Sequence, residues 1–289
     1  MVKTIKLCDN KKVINIGYII LLLLVGLVIF IIIKKKYENF ENLNNDTFFP
    51  TTKIIEHKGY GKIKCFNNND YVCNIILNNQ IWENDLYENI FKKYITDNIT
   101  IIDCGSFIGS HTILLSKIHK NNDIIAFEMM PEHYKILLDN IKLNNLNNVL
   151  TFNMALNNNV GFINIPNINY KTDNTNFGGT SMHTNISEKS DLKIPTITLD
   201  YILPYINESK PVKFIKMDIE GNEIKCLEGS KNLLTKYKPI ILIEIWSHEY
   251  QNFINNEIWG FLQKIGYKIK HINGDDYLLY VPGQFPDLE

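Results

Sequence analysis

The chain has 289 residues, 45% hydrophobic and 21% charged, and its formal net charge at pH 7 is −1. That composition suits one globular domain of ordinary make-up with some length left over. It gives no reason to expect nucleic acid as a partner, because the only notable lysine runs flank an apolar segment near the N-terminus. The five cysteines, Cys8, Cys65, Cys73, Cys104 and Cys226, are odd in number and lack zinc-site spacing, so reduced thiols are the simplest reading.

Residues 13–33 read VINIGYIILLLLVGLVIFIII. No charge interrupts them, and as a helix they are long enough to cross a hydrocarbon core of about 30 Å. The run ends in Lys34, Lys35 and Lys36 instead of a small-residue cleavage site, which argues for a retained span and against a secretory leader. Lys3, Lys6, Lys11 and Lys12 precede it, so the positive-inside rule returns nearly a tie on orientation. The chain accordingly divides into an N-terminal tail (1–12), a transmembrane helix (13–33), a polar tether (34–50) and a soluble domain (51–289).

From Thr100 onward apolar strands alternate with helical patterns. Residues 100–104 (TIIDC) predict a short buried strand, followed by a helix over 109–120. Residues 123–128 (DIIAFE) predict a second strand, and 131–143 a second helix with Pro131 in its first turn. Residues 149–153 are a third strand. The polar, Asn-rich stretch 157–190 reads as a short strand (160–165) and a long loop, of the kind that serves as a lid or substrate loop. Residues 212–218 and 239–245 are further buried strands, with one helix over 222–237 between them and another over 249–265. Alternation of this kind means a parallel sheet covered on both faces. The last two strands, 267–271 and 276–281, meet around Asn273-Gly274, a hairpin signal. A mostly parallel sheet closed by an antiparallel C-terminal hairpin is the class I (Rossmann-like) methyltransferase arrangement.

The stretch Ile101-Ile102-Asp103-Cys104-Gly105-Ser106-Phe107-Ile108-Gly109 is the most informative. Glycines at Gly105 and Gly109 let the backbone turn sharply and approach a ligand, with Ser106 inside the turn. Asp103 is placed to support the loop and attract a cationic ligand. The pattern is not G-x-G-x-x-G, so a dinucleotide-dependent dehydrogenase is disfavoured. Glu128 ends the next strand roughly 20 residues later, where a carboxylate can accept hydrogen bonds from ribose hydroxyls.

These stretches resemble the FkbM family of methyltransferases, from about Trp82 to Val281. IIDCGSFIGSHT is similar to its hhD-h-GANIG-h-hT pattern, and AFEMMPEHYKILLDNIKLN to its second motif, often written EPxP. PTITLDYIL resembles its T-x-T-L-D segment, and FIKMDIEGNEIKCLEGSKNLL its long K-h-D-h-E-G-x-E-x-x-h-L-x-G signature. Phe107 stands where the family often has Asn, and Met129 where it often has Pro. The resemblance implies S-adenosylmethionine as methyl donor, bound by Asp103, Gly105, Ser106, Gly109 and Glu128. It also implies a small-molecule or glycan acceptor, a sugar hydroxyl above all.

Methyl transfer from a sulfonium to oxygen is an in-line displacement that needs alignment and a way to remove the acceptor's proton. Open α/β sheets bind ligands at the carboxyl ends of strands. That selects Asp218 and Glu220 after one strand and Glu244 and His248 after the next, with Asp218 and Glu220 first. Lys216, two residues before Asp218, faces the same side of its strand, to pair with Asp218 or to contact substrate. Glu223 reads equally well as an acid complementing a helix N-terminus. His183 and His248 read as surface or structural histidines. Asp218, Glu220 and Glu244 suit either a metal-free base or a Mg²⁺ ion held with waters. Two other functions compete: methylation of a lipid-linked acceptor, and an inactive membrane-anchored cofactor-binding scaffold. Because S-adenosylmethionine is made in the cytosol and the thiols suit a reducing compartment, a single-pass membrane protein with its catalytic domain in the cytosol is expected.

Overall fold

A computed structural model describes residues 51–170, 175–181 and 189–288. The expected tail, membrane span and tether lie outside these residues, as does His183. Among the described residues no helix is long and apolar enough to cross a membrane.

The described chain begins with a hairpin that the sequence reading did not anticipate, β1 (Thr52–His57) and β2 (Gly61–Phe66). Helix α1 (Tyr71–Leu77) follows, capped by Asp70. Helix α2 runs from Asn84–Leu86 through a π-helical turn, Tyr87–Phe91, to Lys92–Tyr94. Then come β3 (Thr100–Cys104), α3 (Ser110–Ile118), β4 (Asp123–Phe127), α4 (Pro131–Leu143) and β5 (Val149–Phe152). β6 (Ala155–Leu156), β7 (Gly161–Pro166) and β8 (Lys189–Ile197) form a separate small sheet in the order β6-β8-β7. The short strand expected over 160–165 is β7, and β8 takes in the last two residues of the expected loop. After α5 (Leu199–Ile202) the main sheet resumes with β9 (Val212–Met217).

The helix expected over 222–237 is two helices, α6 (Glu223–Glu228) and α7 (Lys231–Tyr237). Gly229 interrupts it, because the backbone there packs so closely on residue 157 that a Cβ would lie 2.4 Å from the Asn157 carbonyl oxygen. After β10 (Ile240–Glu244), the helix expected over 249–265 is also two, α8 (Tyr250–Asn255) and α9 (Glu257–Lys264). Asn256 breaks it by adopting extended backbone and accepting the Ile258 N–H as an N-cap. β11 (Lys268–Asn273) and β12 (Asp276–Tyr280) form the closing hairpin.

The main sheet has the order β11-β12-β10-β9-β3-β4-β5. β10, β9, β3, β4 and β5 run parallel, and β12 is antiparallel to β10 and to β11. β3 is buried at every position, as a central strand covered on both faces must be. Alternation divides its side chains between two cores. Ile102, Ile215, Ile241 and Ile243 pack on Leu227, Leu234 and Leu262 of α6, α7 and α9. Ile101, Phe214 and Leu242 pack on the opposite face with Phe91, Tyr94 and Leu115 of α2 and α3.

Strand order reverses between β3 and β9, and this topological switch point is where an open α/β sheet leaves a crevice. The backbone segments that follow β3 and β9 leave it in contact. Gly105 has φ +83°, and a Cβ on it would lie 1.9 Å from the Asp218 carbonyl oxygen. The glycine is thus demanded by the neighbouring backbone before any ligand arrives. Gly105→Ala should cost roughly 2–4 kcal/mol and lower the thermal midpoint by about 5–10 °C without ligand. Calorimetry of the variant against the parent measures it, and an unchanged midpoint would show that the crossing relaxes.

Candidate active site

The carboxyl ends of β3, β4, β9 and β10 surround a cavity of about 300 Å³. The same alternation that builds the core places its charges. On one face of the sheet Ile101 is followed by Asp103, Phe214 by Lys216 and Leu242 by Glu244, so the row that is apolar in mid-sheet becomes ionisable at its carboxyl end. Asp103 and Lys216 are register partners on β3 and β9, and Glu244 and Asp276 are partners on β10 and β12.

Lys216 is buried and donates to Asp218 Oδ2 at 2.9 Å and to the Gly105 carbonyl at 3.3 Å. Burial works against its charge, but Asp218, Asp103 and Glu83 together outweigh it and hold the ammonium above the ordinary lysine range. Asp218, Glu220 and Glu244 each bring a carboxylate oxygen within 4.8 Å of the others. Glu220 is pushed up to about 8, first by burial and then by Asp218 and Glu223, with Lys216 opposing. Glu244 is raised as well, by burial and then by Asp218 and Glu220, and it accepts the Trp246 indole N–H at 3.1 Å. Asp276 is pushed up to about 7 by burial, then by Glu83 and Asp218. Glu223 belongs to the loop and not to the cavity wall: in the first turn of α6, its Oε1 accepts the Ile219 N–H at 2.9 Å and the Gly221 N–H at 3.3 Å.

Backbone strain marks the same place. Eight described non-glycine residues have positive φ; four are asparagines, which tolerate it, and Lys238 ends a helix. The other three, Glu83 (φ 49°), Phe107 (φ 50°) and Glu220 (φ 56°), all line this cavity. Such conformations cost about 1–3 kcal/mol each and collect at functional sites. Phe107 takes a left-handed conformation that asparagine adopts more easily. It is held by its N–H to Glu128 Oε2 at 2.8 Å and by its ring against His133, centroids 4.8 Å apart.

Glu128 joins two loops. Its Oε2 accepts from Phe107 after β3, and its Oε1 accepts the Met130 N–H at 2.7 Å after β4. His133 Nδ1 lies 3.7 Å from the same Oε1, and a carboxylate has about four acceptor positions, so Glu128 keeps acceptor capacity beyond these two bonds. The other residues expected to touch cofactor are placed differently. Among them Gly105 and Glu128 line the cavity, whereas Asp103, Ser106 and Gly109 do not. Asp103 is fully buried below Lys216, with Oδ2 accepting the Thr112 hydroxyl at 2.5 Å and Oδ1 lacking a hydrogen bond. Ser106 turns its hydroxyl inward to the Asp103 carbonyl at 3.2 Å. Gly109 caps α3 in the left-handed region, where a Cβ would meet Leu137 Cδ1 at 2.8 Å. His248 is exposed, stacked on Trp246 and away from the cavity.

Sequence reasoning missed Glu83, His111 and Asp276. Glu83 Oε2 lies 3.2 Å from His111 Nε2, and both residues line the cavity. No spacing announces Glu83, which precedes the sheet by a whole helix. Asp276 was legible as the start of a strand, but its place opposite Glu244 depends on hairpin register.

A mostly parallel sheet with an antiparallel strand inserted near one edge, and a ligand cavity at its switch point, defines a class I methyltransferase-like fold. Residues 103–269 match the family described as the Methyltransferase FkbM domain. That is more than half of the chain, which belongs to this family and is, as a class, an S-adenosylmethionine-dependent methyltransferase. Methyltransferase sdnD of Sordaria araneosa is 24% identical over 238 residues, 69% of this chain and 86% of that protein. Among solved structures, Methyltransferase FkbM from Methylobacillus flagellatus KT is similar at a TM-score of 0.46 and 18% identity, over 72% of this chain and 52% of that one. The chain thus spans about half the length of that structure. M. jannaschii TYW2, solved in complex with AdoMet, is similar at a TM-score of 0.38 and 16% identity, over 81% of this chain and 85% of that one.

The raised carboxyls couple stability to pH. A carboxyl whose folded pKa lies above its unfolded value favours the folded state while it is neutral. For Glu220 that contribution is full below about 4.5 and is lost as pH rises to about 8, where the folded form also ionises. The thermal midpoint of the ligand-free protein should therefore fall across this window, and Glu220→Gln should flatten the fall. A midpoint that rises through the window in both proteins would contradict the assignment.

Proposed function

We propose that the cavity binds S-adenosylmethionine and that the enzyme methylates a hydroxyl of a sugar or glycan acceptor. The observation that carries this reading is the junction, at one switch point, of the Glu128 carboxylate at the end of β4 with the acidic cluster at the ends of β9 and β10. When bound, the cofactor supplies an electrophilic methyl on a sulfonium. Glu128 has acceptor capacity left for ribose hydroxyls, and Gly105 and Phe107 line the part of the cavity assigned here to the methionine end. The surplus of carboxylates suits a cationic ligand. Asp103 and Gly109 support this surface from beneath. The sugar is the family's contribution to the reading, since the acceptor-side residues alone specify a group that gives up a proton.

Glu220 is the candidate base: once the cofactor's positive charge has driven off its own proton, a carboxylate in a site that raises its pKa to about 8 accepts a proton well. Asp218, fixed by Lys216, orients the acceptor hydroxyl. The hydroxyl proton passes to the carboxylate as the oxygen forms its bond to the methyl carbon and the sulfur takes back its electron pair. A second version has a specific observation behind it: the three oxygens of Asp218, Glu220 and Glu244, within 4.8 Å of one another, suit a divalent cation such as Mg²⁺ that would lower the hydroxyl's pKa instead.

The apolar run at residues 13–33 and the free thiols of Cys65, Cys73, Cys104 and Cys226 support a membrane-anchored enzyme with this domain in the cytosol. Protease protection on sealed microsomes tests that, and a domain resistant until detergent is added would overturn it.

For catalysis, radiolabelled methyl transfer to a panel of free sugars and glycosides is the assay. Asp218→Asn keeps shape and removes charge; it should lower turnover by about 10²–10⁴-fold and leave cofactor affinity within a few-fold. Wild-type turnover in this variant would make Asp218 structural. Loss of activity in EDTA, restored by Mg²⁺, selects the metal version, and indifference to EDTA selects the carboxylate base.

A further inference from the structure

One buried carboxylate near the cavity has no part in the scheme above. Asp70 is fully buried and does not line the cavity. Its Oδ1 accepts the Cys73 N–H at 2.9 Å and so caps α1, while its Oδ2 accepts the Phe177 N–H at 2.8 Å, 107 residues away in sequence. Beside it the Tyr71 N–H donates to the Thr175 carbonyl at 2.8 Å. At the other end of this segment the Ser181 hydroxyl donates to the Glu220 carbonyl at 2.5 Å.

Between these attachments Asn176, Gly178, Gly179 and Thr180 form one wall of the cavity. Phe177 points the other way and is buried, its ring 5.1 Å from that of Phe66 and 4.9 Å from that of Tyr170. Among the described residues the Phe177 ring and the polar contacts of Asp70, Tyr71 and Ser181 anchor this wall. Methyl transfer brings two molecules into contact, yet about 300 Å³ is at the low end of what a single small-molecule pocket occupies. A second ligand beside the first therefore needs either the open mouth of the cavity or a shift of this wall.

We propose that residues 175–181 are the movable wall through which ligands enter the cavity, and that Asp70 is the positioning residue that latches it. The proposal rests on the cofactor assignment made above. The acidic oxygen matters because one carboxylate serves two N–H donors from two parts of the chain. A serine in its place can still cap α1 but is too short to serve Phe177 as well.

The test uses the full-length protein, with S-adenosylmethionine as probe and the fluorescence of Trp82, which lines the cavity, as signal. In Asp70→Ser the association and dissociation rates should both rise by about tenfold, with the dissociation constant within a few-fold of the parent. In the ligand-free protein, hydrogen exchange at the Phe177 amide should accelerate by about tenfold, while the Phe107 and Met130 amides bound to Glu128 stay protected. Ser181→Ala should move the same quantities in the same direction by less, and it serves if Asp70→Ser fails to fold. Mere destabilisation would weaken binding and raise exchange everywhere, and that pattern counts against the latch. Unchanged rates and unchanged Phe177 protection would overturn it while leaving the cofactor assignment intact. A parent protein that does not bind S-adenosylmethionine at all would overturn both.

Discussion

The ligand end of this sheet depends on one buried ammonium. Lys216 ties the end of β9 to the loop after β3 through Asp218 and the Gly105 carbonyl, and it stands beside Asp103 on the neighbouring strand. Around it lie Glu83, Glu220, Glu244 and Asp276, more negative charge than a single lysine balances. Burial disfavours their ionised forms first and like-charge repulsion adds to it, and the raised Glu220, Glu244 and Asp276 are the outcome. This concentration of carboxyl groups is the basis on which a cationic ligand is proposed for the cavity. An S-adenosylmethionine sulfonium and a divalent metal are the two forms of that cation considered above.

Strain and hydrogen bonding hold this arrangement open before any ligand arrives. Glu128 uses two acceptor positions to fix the loops after β3 and β4, and Phe107 stays in a left-handed conformation partly because Glu128 takes its N–H. The substitution of Phe for the family's usual Asn therefore trades an easy backbone conformation for an aromatic contact with Phe66 and His133. A pre-set loop costs stability in the apo state and lowers the ordering needed on binding.

The strand and helix alternation was legible in the sequence because strands buried on both faces are apolar throughout, and because Gly105 and Pro131 punctuate them. The candidate residues at strand ends were legible for the same reason, since topology puts carboxyl ends at the crevice. The breaks at Gly229 and Asn256 were not, because each residue is tolerated on a helix surface and only a distant contact or a cap turns it into a stop. Asp103, Ser106 and Gly109 lie in the expected motif, yet they serve it from beneath: whether a motif residue faces ligand or core is decided by packing against Thr112 and Leu137. Glu83, His111 and Asp70 escaped the reading, and Asp276 was read only as the start of a strand. They come from the N-terminal helices, the face of α3 and the closing hairpin, and only the folded chain assembles them.

The charge argument has a direct readout. At pH 7 Glu220 still holds its proton in the ligand-free protein, and a cation placed beside it lowers its pKa and drives the proton off. Calorimetric titration at this pH in buffers of different ionisation enthalpy counts the protons released. S-adenosylmethionine should bind with net proton release, and S-adenosylhomocysteine, which lacks the sulfonium charge, should release fewer. Equal release by the two ligands, or binding of S-adenosylmethionine without release, would contradict a cavity completed by a cation.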